Sequence, residues 1–159
     1  MNRKIVGFSV DDAGDRIAML DCLHHRHVRH RPPFEVRPWV LDDAERAQRI
    51  GTEIDCGLCE RSELPEGLSL VRTAGPFDSS SLPPGLRRSH RTAAGIWAVL
   101  SVLYGEIRLQ MGERPELLLA KGASQAIPPG VVHSVTLGAV ASVSLELWGQ
   151  ARRDEEPVQ

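Results

Sequence analysis

Cysteine is scarce in this 159-residue chain: there are three, an odd number that cannot close into a full set of disulfides. The opening MNRKIVGFSV mixes charge and glycine with its apolar residues and does not read as a secretory leader, so a reduced, cytoplasmic setting is expected. Aromatic residues make up only 4% of the chain, which leaves few platforms on which nucleic-acid bases could stack. Charge is near balance, 19 Lys and Arg against 21 Asp and Glu, and a net charge of −2 gives no global drive toward nucleic acid or an anionic membrane. Nowhere does the chain approach the run of about eighteen apolar residues that a membrane-spanning helix needs, nor does it carry a glycine-rich cofactor loop in a strand-to-helix context.

What is present suffices for two small modules, since 42% of the residues are hydrophobic. The polar, proline-bearing stretch ERSELPEG at residues 60–67 marks a boundary. The expected organisation is a domain over residues 1–62, a second over 63–150 and a frayed tail, ending RRDEEPVQ, over 151–159. In the first module, KIVGFSV and RIAMLDC flank the turn-rich DDAGD and predict a β-hairpin. Asp42 or Asp43 can cap a short helix over AERAQRI, with Gly51 ending it.

All three cysteines fall in two motifs of the first module, Cys22-x-His24 and Cys56-x2-Cys59. A thioredoxin-type redox pair would place its first cysteine at a helix N-terminus, whereas ERSELPEG after Cys59 is poor helix material, so a knuckle turn between two thiolates is expected. Zinc takes four ligands tetrahedrally, and two from each end of a loop of about thirty residues would complete the set. Alternation in RIAMLDCLH places Ala18, Leu20, Cys22 and His24 on one strand face and turns His25 away. If the chain instead turns after His25, His27 or His30 becomes the better ligand. A domain of this size has little core of its own, so a structural zinc is the economical role.

Residues 3 to about 60 resemble a small uncharacterised bacterial domain with the pattern C-G-H-x-x-H-x-R-H-x-P-P-W, then R-P-W-V, I-G and C-x-x-C. Cys22, His24, His27, Arg29, His30, Pro32, Pro33, Arg37, Pro38, Trp39, Gly51, Cys56 and Cys59 agree, while Leu23 stands where that family has glycine and Phe34 where it has tryptophan. The resemblance implies a fold and a metal rather than a reaction.

In the second module, GASQAIPPGVVH spaces its residues as G-x5-P-x-G-x2-H from Gly122 to His133. Gly122 permits a turn into a strand at Ala126 and Ile127, Pro128 to Gly130 form a second turn, and His133 opens the next strand facing inward, where it could ligate a metal. This spacing resembles the second signature motif of the cupin superfamily, although Leu137 replaces the asparagine that closes it and Ala98 lies near the place of the usual first-motif glutamate. Residues 64 to 148 are similar to the TehB N-terminal and YeaR-like cupins, carried by LPEGLSLVRTAGPFD, LPPGLRRSHRTAAGIWAVLSVLYGEIRL, IPPGVVHSVT and SVSLELW. That resemblance implies a barrel metal of unspecified identity held by His90, His133 and Glu146, with open positions for a ligand. Arg88 and Arg91 would supply charge-assisted hydrogen bonds to it. Val143, Leu145 and Leu147 occupy one face of the last strand, so Glu146 falls on the other.

The expected molecule is mainly β: a zinc-stapled α+β domain followed by a cupin-like sandwich or jelly roll that binds or transforms a small ligand, an oxyanion of the tellurite-resistance type among the candidates. Methyl transfer by this chain alone is not expected, for want of the cofactor loop. A homodimer is the expected assembly, and no membrane partner is expected. The alternative is a ligand-sensing regulator whose zinc domain, rich in Arg26, Arg29, Arg31 and Arg37, docks nucleic acid or a protein.

Overall fold

The hairpin expected around DDAGD forms because Asp11 and Gly14 close its loop: the Asp11 carboxylate accepts from the backbone of Ala13 and Asp15, and Gly14 takes a φ of 83°. It joins β1 (Asn2–Val10) to β2 (Arg16–Leu20) in the computed structural model, which describes residues 1–151. The stretch RRDEEPVQ, expected as a tail, lies outside the described residues. Two units divide the chain, Met1–Glu63 and Leu64–Gln159.

In the first unit β1 and β2 are joined by β3 (His25–Val28) and β4 (Glu53–Asp55) in an antiparallel sheet of order β3-β2-β1-β4. Asp42 caps α1 (Asp43–Arg49) by accepting from the Glu45 amide, and Gly51 follows the helix at a φ of 86°. Besides the three cysteines, the buried apolar residues of this unit are Ile5, Ala18, Leu20, Val28 and Val40. So short an apolar inventory leaves little surplus stability without a further crosslink.

The second unit is a cupin-like sandwich of two sheets. One has the order β10-β7-β8, from β7 (Glu106–Met111), β8 (Leu117–Ala120) and β10 (His133–Leu137). The other has the order β5-β11-β6-β9, from β5 (Ser69–Phe77), β6 (Trp97–Tyr104), β9 (Ser124–Ile127) and β11 (Ser142–Gly149). Alternate residues of β6, β7, β10 and β11 point between the sheets, where Leu100, Val102, Ile107, Leu109, Val135 and Val143 form the centre of one apolar cluster. A short helix, α2 (Pro84–Arg88), adds Leu86 to that cluster, and the segment leading into it adds Leu82. Gly122 and Gly130 take positive φ values of 87° and 71°, as the two turns of the motif require.

Candidate metal centre

Sheet topology brings the two cysteine motifs together. Both β2 and β4 run antiparallel to β1, with Leu20 opposite Ile5 and Asp55 opposite Asn2, so their C-terminal ends meet at the start of β1. The segments that leave β2 and β4 therefore share one corner of the unit. After β2 the chain does not continue extended to His24, as the alternation predicted. It turns at Leu20–His24, with the Leu23 amide donating to the Leu20 carbonyl at 2.9 Å and the Leu20 amide donating to the His24 carbonyl at 3.0 Å. Leu23 takes a φ of 70°, a conformation natural to the glycine of the similar family and not to leucine. The turn still presents Cys22 and His24 inward.

After β4, the Cys56 amide donates to the Met1 carbonyl at 2.8 Å, and a single helical turn over Gly57–Glu60 carries Cys59 back toward Cys56. This corrects the expectation of a non-helical knuckle: Cys56 is the cap of that turn, because the four-residue spacing closes a bond from the Glu60 amide to the Cys56 carbonyl. The turn ends at Arg61, before the proline and glycine that argued against a longer helix.

Four potential ligand atoms converge, all within 4.8 Å of one another and all on buried residues. His24 Nδ1 lies 3.5 Å from Cys22 Sγ, 3.4 Å from Cys56 Sγ and 3.6 Å from Cys59 Sγ, and the Cys22 and Cys56 sulfurs are 4.0 Å apart. A tetrahedral zinc with bonds of about 2.3 Å to sulfur and about 2.1 Å to nitrogen has edges of about 3.8 Å between sulfurs and about 3.6 Å between sulfur and nitrogen. These four separations are those edges to within a few tenths of an ångström, and the remaining sulfur pairs lie within 4.8 Å. The cluster can therefore hold a divalent metal such as zinc.

Protonation follows from the crowding. A hydrogen bond from Cys59 holds the Cys22 thiol down to about 4, and the same bond, with burial, pushes Cys59 up. Burial raises Cys56 as well. One thiolate is thus stabilised by its neighbours, and ionising the other two calls for a cation among them. Arg3, buried on β1, is the nearby positive charge that favours the Cys59 thiolate. The sequence reasoning passed over Arg3, although the alternation that buries Ile5 places it on the same face.

The other histidines of the segment are occupied or exposed. His27 Nε2 bonds Asp11 at 2.9 Å, and His30 Nδ1 accepts the Arg37 amide at 2.9 Å. His25 is exposed on β3.

In the second unit the expected site does not assemble as a three-residue cluster. His133 is buried, its Nδ1 donates to the Val131 carbonyl at 3.0 Å, and its buried Nε2 has no hydrogen-bond partner. Burial pushes its pKa down, so the ring is neutral. His90 pairs with it through two backbone bonds of 2.9 Å, the rings meeting edge to face at 5.2 Å. Glu146 is the correction. Val143, Leu145 and Leu147 point into the core, so period-two geometry turns Glu146 to the opposite face, where its carboxylate accepts the Trp148 indole N–H at 3.0 Å. Arg88 and Arg91 are exposed. Among the described residues, the cysteine-histidine cluster is the one group of this kind with converging ligand atoms.

Comparison with known proteins divides at the same place. Residues 6–63 match the family described as Protein of unknown function (DUF3565), and residues 72–145 match the TehB-like domain. No curated protein matches the chain. Among solved structures, a protein of E. coli strain K12 is similar at a TM-score of 0.52 and 15% identity, over 57% of this chain and 98% of that one. TehB from Haemophilus influenzae follows at a TM-score of 0.49 and 18% identity, over 54% of this chain and 32% of that one, about a third of its length. Hydroxypropylphosphonic acid epoxidase from S. wedmorenis, in complex with fosfomycin, gives a TM-score of 0.33 and 30% identity over 42% of this chain and 37% of that one. At 15% identity the E. coli likeness is one of fold. No helix among the described residues is long and apolar enough to cross a membrane.

Proposed function

We propose that this chain, which joins a DUF3565-type unit to a TehB-like domain, is a metal-binding cupin protein in which Cys22, His24, Cys56 and Cys59 hold a structural zinc and the TehB-like unit binds a small ligand. The observation that carries the zinc is the tetrahedral spacing of the four buried ligand atoms. Four protein ligands fill a tetrahedral zinc and leave no open position, the arrangement of a structural rather than a catalytic site. Zinc there would supply folding free energy to a unit with a short apolar core.

For the TehB-like unit the reading is a binding module for a small oxyanion, tellurite among the probes to try. His133 supports it through an unpartnered, buried imidazole nitrogen, and Arg88, His90 and Arg91 support it as exposed donors in one segment. A nucleic-acid dock is the weaker reading, because the basic stretch that holds Arg26, Arg29, Arg31 and Arg37 is short and is interleaved with few aromatic residues on which bases could stack.

Metal analysis of the protein purified without a histidine tag or chelator tests the zinc. One zinc per chain is expected, with Cys56→Ser losing it and His90→Ala/His133→Ala keeping it. A wild-type protein that carries no zinc after growth in zinc-supplemented medium would refute the reading. Calorimetric titration with tellurite and selenite, against the double variant, tests the ligand.

A further inference from the structure

The first unit has a second concave feature, away from the cysteines. Arg16 pairs with Val28 across the β2–β3 register and shares the inward face of β2 with Ala18 and Leu20, so it stands at one end of the face that leads to the metal centre. There it borders a cavity of about 260 Å³ whose wall also includes Asp15, Arg29, His30 and Arg31, with buried Val28 and Val40 beneath.

The charges in this wall do not balance. Asp15 Oδ2 takes both Arg29, at 2.7 Å, and Arg31, at 3.7 Å. Arg16 has no carboxylate partner among the described residues. Three guanidiniums against one carboxylate leave a surplus of two positive charges around one hollow. His30 adds a donor: its Nδ1 accepts the Arg37 amide, so in the neutral ring the proton sits on Nε2. The cavity is smaller than the range of about 300 to 1,000 Å³ typical of drug-sized ligands, which restricts it to a small solute.

We propose that this cavity is an anion site for a small dianionic oxyanion of the phosphate class. Guanidiniums recognise such groups through paired, charge-assisted N–H donors, and the surplus of two matches a dianion better than a monocarboxylate. The site uses none of the metal ligands and none of the TehB-like unit.

Isothermal titration of the metal-loaded full chain in low-chloride buffer tests it, with inorganic phosphate, glycerol 3-phosphate and acetate as probes. One equivalent of phosphate is expected to bind, and acetate at least about tenfold more weakly. Tighter binding of the ester would identify a phosphorylated metabolite, and tighter binding of inorganic phosphate the free ion. Arg16→Gln should weaken phosphate at least about tenfold, a loss of about 1.4 kcal/mol, and Asp15→Asn, which removes the competing carboxylate, should strengthen it. Arg31→Gln, on a side chain 64% exposed, is the second variant if Arg16→Gln fails to retain its metal. Phosphate binding unchanged by these variants, absent from the wild type, or lost instead in Arg88→Gln/Arg91→Gln would overturn the assignment. Zinc content measured on every sample separates this result from that for the metal centre.

Discussion

Leu23 shows what one residue costs at the metal corner. A non-glycine residue in the left-handed region gives up about 1 to 2 kcal/mol, and here the turn that aims Cys22 and His24 at one point imposes it. Leu23→Gly should stay within about 1 kcal/mol of the wild type in urea unfolding, because relief of strain is offset by the greater freedom of glycine in the unfolded chain. Leu23→Val, β-branched at positive φ, should lose more than about 1 kcal/mol and retain zinc less well. The same titration reads both. The cysteine set was legible in the sequence because thiols at these spacings have few other uses. Strand alternation points to His24 as the fourth ligand, yet a turn is what delivers it. The glycine that the similar family has in place of Leu23 was the available sign of that turn.

At the scale of elements, the hairpin, α1 and the turns around Gly122 and Gly130 could be read from local chemistry, since each depends on residues within a few positions. The face of Glu146 could not be assigned from family resemblance. Alternation along β11 put Glu146 opposite its three apolar neighbours, and the Trp148 bond holds it there. Gly105, between β6 and β7, is an element-scale constraint of another kind. Its φ is 69°, and a side chain there would intrude on the Val140 carbonyl oxygen, which belongs to the backbone and cannot swing away. Gly105→Ala should therefore destabilise the TehB-like unit by at least about 2 kcal/mol in a thermal melt, with zinc content unchanged.

For the molecule as a whole, metal and proton compete in one unit. The hydrogen bond from Cys59 favours the Cys22 thiolate, whereas Cys56 and Cys59 are pushed up and must each release a proton when a metal binds. Falling pH therefore weakens binding. Zinc affinity, followed by competition with a chromophoric chelator between about pH 6 and pH 8, should drop about a hundredfold per pH unit as these two thiols bind protons. At fixed pH, a strong chelator should remove the hydrogen-exchange protection of residues 1–63 and leave that of residues 64–151 intact, because only the first unit has a short core to support. The apolar packing between the two sheets was not legible in the sequence, since it depends on which of several hydrophobic residues meet across them.

The odd number of thiols in the cluster also fixes its response to oxidation. Any two-electron oxidant that joins two of the sulfurs removes half of the ligand set at once and strands the third as a lone thiol, free to couple to another molecule. A sample exposed to air in the absence of metal would then consist of a mixture of internal disulfides and crosslinked dimers, and the apparent association state of the protein would report its redox history as much as its native assembly.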